Sequence, residues 1–273
     1  MKGQGARMPE RSPEFIEAIS RGLTVLRSFS PEYPSLTLSQ IAQATELARP
    51  TARRILMTLQ ELGYVRSDEG RFELAPKVLE LGMAYVSSLG LWDVAKPHLK
   101  SLVSATGESS SMSQLDGADI VYVARVAVPK LIALRVDIGT RFPAPPTSQG
   151  KVLLADLERD EILRRLEEPS GSSVIPVVRW DRKSFFEELD AVRTQGYALA
   201  DEELARGIRS IAVPVRDSSG RVRASMNTTV HAADTSVDTL VGEHLPKLRA
   251  AAEEVRQDWV RWQSLPVRQE HQP

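Results

Sequence analysis

Residues 37–72 read TLSQIAQATELARPTARRILMTLQELGYVRSDEGRF, and their spacing decides the first half of the fold. Leu38, Ile41, Ala42 and Leu47 share one face of a short helix whose free amides Thr37 or Ser39 can cap. After a brief turn, Ala52, Ile55, Leu56, Leu59 and Leu62 make a second apolar stripe on a helix from about Arg49 to Leu62. Pro50 suits its first turn and Gly63 its C-terminal end. The opposite side carries Pro50, Arg53, Arg54, Met57 and Thr58, with no acid between Glu46 and Glu61. Cations and donors on one helix face are what phosphates and base edges in a DNA groove require. A solvated face explains one or two arginines in isolation. The context favours the DNA reading. Gly63-Tyr64-Val65-Arg66, a turn at Asp68-Glu69-Gly70 and Arg71-Phe72-Glu73-Leu74 form a hairpin directly after the helix, a wing with arginines near its ends. The expected partner is double-stranded operator DNA, met by Ser39, Arg49, Pro50, Thr51, Arg53, Arg54, Thr58, Arg66 and Arg71.

Upstream, Glu14 to Phe29 sets Phe15, Ile19, Leu23, Leu26 and Phe29 at helical spacing, a third helix to close a three-helix core, ended by Pro31 and Pro34. Downstream, Pro76 to Leu89 is helical in period and links to a second domain that opens with a helix from Leu91 to Ala105 containing Pro97. From Glu108 the texture changes to strands: SSSMSQL, DIVYVARV and KLIALRVDIG, with turns between. Thr147 to Leu157 returns to helix, capped by Thr147 or Ser148, and Asp160 to Leu166 extends or follows it. Asp181 to Gln195 is a helix between an Asp cap and Gly196. Ser210 to Val215 and Val222 to Val230 pair around Asp217-Ser218-Ser219-Gly220, and Ser236 to Trp262 forms a long helix with one apolar face. The fold class is α+β, with helices on the faces of an antiparallel sheet.

The bulk numbers limit the function classes. The chain has 273 residues, 42% of them hydrophobic and 26% charged, which fits two modest globular domains. A net charge of −1 and a pI near 6.5 rule out a diffusely basic coat, so DNA affinity must come from a small basic surface that dimerisation multiplies. The absence of cysteine excludes disulfides, thiolate zinc sites and cysteine nucleophiles. No stretch approaches the roughly 18 apolar residues of a membrane span, and residues 1–13 lack the apolar region of a signal peptide, so a cytoplasmic protein with no membrane contact is expected. The N-terminal stretch and the tail from Pro266 are expected to be mobile.

In motif order and content the chain resembles the IclR-type bacterial transcription regulators over residues 14–262. The resemblance rests on RPTARRILMTLQELGYV, FELAPKVLELG, FPAPPTSQGKVLLA and GIRSIAVPVRDSSGRV. The ARRILMTLQELGYV and KLIALRVDIGTRFPA segments look most like regulators of protocatechuate and β-ketoadipate metabolism. It implies a winged helix-turn-helix domain over 14–75, a linker helix over 76–91 and a GAF-like effector domain over 92–265, working as a homodimer or dimer of dimers. Carried over position by position, the effector pocket falls on Leu131, Leu134, Ser148, Gln149, Ala200, Ser210, Asn227 and Thr229. Ser210 stands where some relatives have Cys, Ala200 where some have Asp, and Asn227 with Thr229 where some have Ser, which points away from the glyoxylate- and pyruvate-sensing members.

The residues themselves add physical content. Thr147, Ser148, Gln149 and Gly150 sit at a helix start, where free amides and the dipole favour an anion, and Gly150 would let a ligand approach. Leu131 and Leu134 would supply an apolar wall, with Ser210, Asn227 and Thr229 as polar partners. The expected effector is a small carboxylate such as protocatechuate or β-ketoadipate, with no cofactor. Taken singly, Ser148 serves equally as a helix cap and Thr229 as a strand residue. An enzyme acting on a small organic acid is the competing class. Against it, His98, His231, His244 and His271 are scattered, and neither a Gly-x-Ser-x-Gly elbow nor a phosphate loop occurs. No catalytic or metal-binding residue is expected. A DNA-binding protein without an effector would not need a second domain of about 170 residues with a polar-lined cavity.

Overall fold

The computed structural model describes residues 12–30, 32–82, 90–129, 136–178 and 180–264. The chain divides into two compact units, Met1–Tyr85 and Val86–Pro273. The N-terminal stretch before Ser12 and the tail from Pro266 lie outside the described residues.

In the first unit, α1 (Glu17–Arg27), α2 (Leu38–Ala44) and α3 (Arg49–Glu61) surround a core of Val25, Phe29, Leu36, Ile41, Leu56, Leu59, Val65 and Phe72. Of the two candidate caps, Thr37 starts α2. Its side chain accepts from the Gln40 amide while the Gln40 side chain takes the Thr37 amide, a reciprocal capping box. Strands β2 (Val65–Asp68) and β3 (Arg71–Leu74) make the wing. Glu69 and Gly70 between them both have positive φ, as a two-residue turn matched to strand twist requires. A short strand β1 (Ser35–Thr37), absent from the sequence reading, pairs with β3 to give the order β1-β3-β2.

The reading of α1 needs correction. Phe15, Ile19 and Leu23, expected in the core, are 44%, 59% and 53% exposed. The helix is rotated so that Ala18 and Gly22 look toward Thr51, Ile55 and Leu59 of α3, and these small side chains leave a groove there. Only Val25, Leu26 and Phe29 join the core. Leu62, likewise expected to be buried, is 52% exposed.

The second unit is a six-stranded antiparallel sheet in the order β6-β5-β4-β9-β8-β7. Its strands are β4 (Ser109–Asp116), β5 (Asp119–Val126), β6 (Arg141–Pro143), β7 (Ala198–Asp201), β8 (Ile208–Arg216) and β9 (Val222–His231). Helices α4 (Leu91–Thr106) and α9 (Leu245–Ser264) cover one face through Leu99, Leu102, Leu248, Val255 and Trp259 against Met112, Ile211, Val213 and Met226. Helices α5 (Ser148–Ala155), α6 (Arg159–Leu166) and α7 (Arg182–Gln195) cover the other, where Leu154, Ile162, Phe185 and Leu189 meet Ile120, Tyr122 and Ala212. Alternation along β8 and β9 separates the two layers: Ile211, Val213, Ala224 and Met226 face α4 and α9, while Ser210, Ala212, Ser225 and Asn227 take the opposite pleat.

One expectation differs here. Lys130 to Arg135 of the expected strand KLIALRVDIG lie outside the described residues. Val136–Gly139 are not strand: a turn runs from Asp137 to Thr140, whose amide donates to the Asp137 carbonyl at 3.0 Å, with Gly139 at φ +89, and the third strand of this group is β6. The long C-terminal helix runs without a break from Val237 to Ser264, as α8 (Val237–Thr239), a π turn at Leu240–His244 and α9. Strand β5 contains a bulge: Ala124 pairs with Met112 and Tyr122 with Ser113, so Val123 is an extra residue. Val123 and Ala124 consequently both pack in the α4/α9 layer. No helix among the described residues is long and apolar enough to cross a membrane.

Candidate functional site

Two sites emerge, one in each unit. In the first, α3 has Pro50 in its first turn and buries Ala52, Leu56 and Leu59, which forces Arg49, Arg53, Arg54, Met57 and Thr58 outward. Among the described residues, Arg49, Arg53 and Arg54 have no side-chain hydrogen bond or ion pair, so three guanidiniums stand ready along one helix face. Thr58 Oγ1 donates to the Arg54 carbonyl at 3.0 Å, and Thr51 lines the α1–α3 groove. Ser39 is exposed in the first turn of α2.

The wing arginines are differently placed. Arg66 lies along Glu73, with Nη2 to Oε2 at 2.9 Å, an exposed pair that water screens and a phosphate can displace. Arg71 donates from Nε to Ser35 Oγ at 2.9 Å and from Nη2 to the Ser35 carbonyl at 2.5 Å, which ties the wing to β1.

The second site is a pocket on the α5 side of the large sheet, enclosing ≈ 540 Å³ of space with its open mouth included. Ser148, Gln149, Ala200, Ser210, Asn227 and Thr229 all line it. The sheet register explains their meeting: Ala200, Ser210, Thr229 and Ser109 follow one another across β7, β8, β9 and β4, and Ala212, Asn227, Ser111 and Arg125 across β8, β9, β4 and β5. Helix α5 covers these rungs. Its cap is Thr147, whose Oγ1 accepts from the Gly150 amide and donates to the Ala144 carbonyl, both at 2.9 Å. The amides of Ser148 and Gln149 precede any intrahelical acceptor. Ser148 Oγ instead makes a hydrogen bond with Ser210 Oγ at 2.7 Å.

Gly150 is not part of the lining. A β-carbon there would lie 2.0 Å from the Ala144 carbonyl oxygen, so the close approach that Gly150 permits is of backbone and not of a ligand. Leu131 and Leu134 lie outside the described residues. The following Lys151 is buried and held by Glu188 and Glu203, each at 2.6 Å, which leaves it no part in binding a phosphate.

The pocket also contains groups that sequence reasoning missed. Tyr122 and Phe142 form an aromatic wall, their rings edge to face at 5.6 Å. Burial pushes the Tyr122 hydroxyl up to about 12, against the lowering effect of Arg125, and keeps it neutral. Arg125 donates from Nη1 to Ser111 Oγ at 3.1 Å. Burial lowers its pKa, countered by Tyr122 and Asp137, but a guanidinium starts so high that it stays charged. Finally, Gln149 Oε1 and Asn227 Oδ1 are buried acceptors without a partner among the described residues. Desolvated polar atoms of this kind are costly unless something arrives to satisfy them.

A winged helix-turn-helix with free arginines on its second helix, in one chain with a sheet domain built around a polar pocket, defines a DNA-binding regulator with a ligand domain. The family comparisons agree. Residues 18–69 match the IclR helix-turn-helix domain and residues 83–257 the C-terminal domain of bacterial IclR transcriptional regulators. The chain belongs to the IclR family of transcription regulators, and the enzymatic alternative falls with that assignment. It is 38% identical to the Pca regulon regulatory protein of Pseudomonas putida, over 89% of this chain and 84% of that one. It is 36% identical to the p-hydroxybenzoate hydroxylase transcriptional activator of Acinetobacter baylyi, over 90% and 93%. Among solved structures, a putative transcriptional regulator from Rhodococcus sp. RHA1 superposes with a TM-score of 0.78 at 44% identity, covering 91% of this chain and all of the other.

Proposed function

We propose that the protein controls genes of aromatic-acid degradation by coupling operator binding to occupancy of the effector-domain pocket. Residues 14–75 bind DNA through α3 and the wing, residues 76–91 connect, and residues 92–265 sense a small carboxylate of the protocatechuate or β-ketoadipate type. The observation that carries this reading is the pocket itself, in which a guanidinium, two orphan acceptors and an aromatic wall converge beneath α5. The two relatives named for a Pca regulon and for p-hydroxybenzoate hydroxylase support the same class of pathway.

The working unit we propose is a homodimer, alone or doubled, in the cytoplasm. The exposed apolar side chains of Ile16, Ile19 and Leu23 on the first unit, with Leu79 and Leu81 further on, supply surface for a second copy. Two recognition helices then meet two half-sites. An effector that binds one arrangement of the heads better than another shifts the population by that difference in affinity.

The test is fluorescence anisotropy of labelled DNA from the region upstream of the gene and its neighbours, with and without 3,4-dihydroxybenzoate, 4-hydroxybenzoate and 3-oxoadipate. The expected result is an operator affinity that changes with one of these acids, while the acid is recovered unchanged. An affinity indifferent to all three removes the aromatic-pathway reading, and consumption of the acid would restore the enzymatic one.

A further inference from the structure

The orphan acceptors carry more than the existence of a ligand. Gln149 is fixed: its Nε2 donates to the carbonyls of Ser225 at 2.9 Å and Ser111 at 3.3 Å. Turning the amide over would set its oxygen against two carbonyl oxygens, so Oε1 must remain the outward atom. Asn227 uses Nδ2 to donate to Thr229 Oγ1 at 3.0 Å, which leaves Oδ1 over. Both side chains are at most 2% exposed. A carboxylate has only acceptors at neutral pH and would face these oxygens with repulsion. A hydroxyl donor satisfies them.

The opposite requirement holds at Arg125. Its guanidinium offers five donors, and among the described residues one hydrogen bond, to Ser111 Oγ, is made. A full positive charge with a planar fork outcompetes the partial charge of a helix end for a carboxylate. Ser148 and Ser210 share a hydrogen bond in which either hydroxyl can donate, so the pair offers a ligand at most one further proton and no charge.

We infer that Arg125 is the anchor for the effector's carboxylate and that Gln149, with Asn227, receives hydroxyl protons from the far end of the same molecule, which makes the effector a hydroxylated aromatic monocarboxylate and not a dicarboxylate. This rests on the reading of the pocket as the effector site and narrows its ligand. Tyr122 and Phe142 form the wall against which an aromatic ring packs.

Calorimetry on the full-length protein tests it with five probes: 3,4-dihydroxybenzoate, 4-hydroxybenzoate, benzoate, adipate and the neutral 3,4-dihydroxybenzamide. For wild type, benzoate and adipate should bind at least about tenfold more weakly than 3,4-dihydroxybenzoate, since each leaves a buried acceptor unpaired. Arg125→Gln should lose about tenfold or more for the hydroxylated acids, as expected of a charge-assisted pair, and leave the amide within about twofold. Gln149→Leu should erase the advantage of 4-hydroxybenzoate over benzoate. If Arg125→Gln loses the amide too, Arg125→Lys decides: recovered acid binding supports the anchor, and equal loss of acid and amide overturns it. Hydroxylated acids that bind wild type and Arg125→Gln alike place the carboxylate elsewhere and sink this inference while leaving the effector site standing. So does adipate matching 3,4-dihydroxybenzoate. No binding of any probe to wild type removes the proposed effector class itself.

Discussion

Ser148 and Ser210 join the first turn of α5 to β8, beside the edge strand β7, hydroxyl to hydroxyl at 2.7 Å, and both line the pocket beneath that helix. Ser148 is fully buried, so any large side chain there enters the pocket or displaces the helix. Ser148→Trp is therefore expected to abolish the response of operator affinity to aromatic acids while leaving operator affinity itself intact, since the recognition helix lies in the other unit. Anisotropy titrations with and without acid measure both. An acid response equal to wild type would place the effector site elsewhere.

The arginines of α3 should divide by their surroundings. Arg53 and Arg54 make no side-chain hydrogen bond among the described residues and are exposed, so each alanine variant should lose roughly 1–3 kcal/mol of operator affinity if the side chain contacts a base. Arg71→Ala should instead lower thermal stability of the DNA-binding unit, because Arg71 bonds both the hydroxyl and the carbonyl of Ser35. Unchanged affinity of the Arg53/Arg54 double variant at fixed salt would remove α3 from the interface.

Gly150→Ala should destabilise the effector domain by about 1–3 kcal/mol or more, the range for forced overpacking. The added carbon would sit 2.0 Å from the Ala144 oxygen, and backbone must move to admit it. Thermal unfolding followed by circular dichroism reads this directly. A variant as stable as wild type would mean that the start of α5 yields easily.

At Asp217, burial pushes the carboxyl up, but hydrogen bonds from Ser219, Arg223 and Arg221 outweigh it and hold the group at about 2 against an ordinary 3.8. A depressed folded pKa contributes stability above the unfolded value and loses it as pH falls toward the folded one. Asp217→Asn should thus cost on the order of 2 kcal/mol at neutral pH, a difference that shrinks between about pH 4 and pH 2. Denaturant titrations of both proteins at neutral pH and near pH 3 check the sign. A gap that widens with acid would contradict the assignment.

Much of this architecture was legible in the sequence because its devices are local. The helix pair announced itself through period, the Thr37 cap and Pro50, and the paired strands through turn residues such as Asp217 and Gly220. The face of α1 was not legible, because it turns small residues, Ala18 and Gly22, toward α3 and leaves the larger ones outside. Nor was β7, only four residues long and defined by pairing with β8. In the pocket, the polar residues of β8 and β9 follow strict alternation, and the family resemblance named them. Arg125 escaped because alternation from Tyr122 assigns it to the opposite layer, and only the bulge at Val123 brings it round.

That bulge makes the chemistry of the pocket depend on the pairing register of one strand. Deleting Val123 would leave Tyr122 opposite Ser113 and Arg125 opposite Ser111 in regular pleating, with the guanidinium kept in the pocket, whereas pairing the full-length strand without a bulge would put Ala124 there and send the guanidinium to the apolar side. A regulator built this way can acquire or discard an anion preference through a one-residue slip in the pairing of this strand, with every pocket side chain on the adjoining strands untouched. Divergence of ligand range among relatives would then be sought in where this strand is bulged as well as in substitutions.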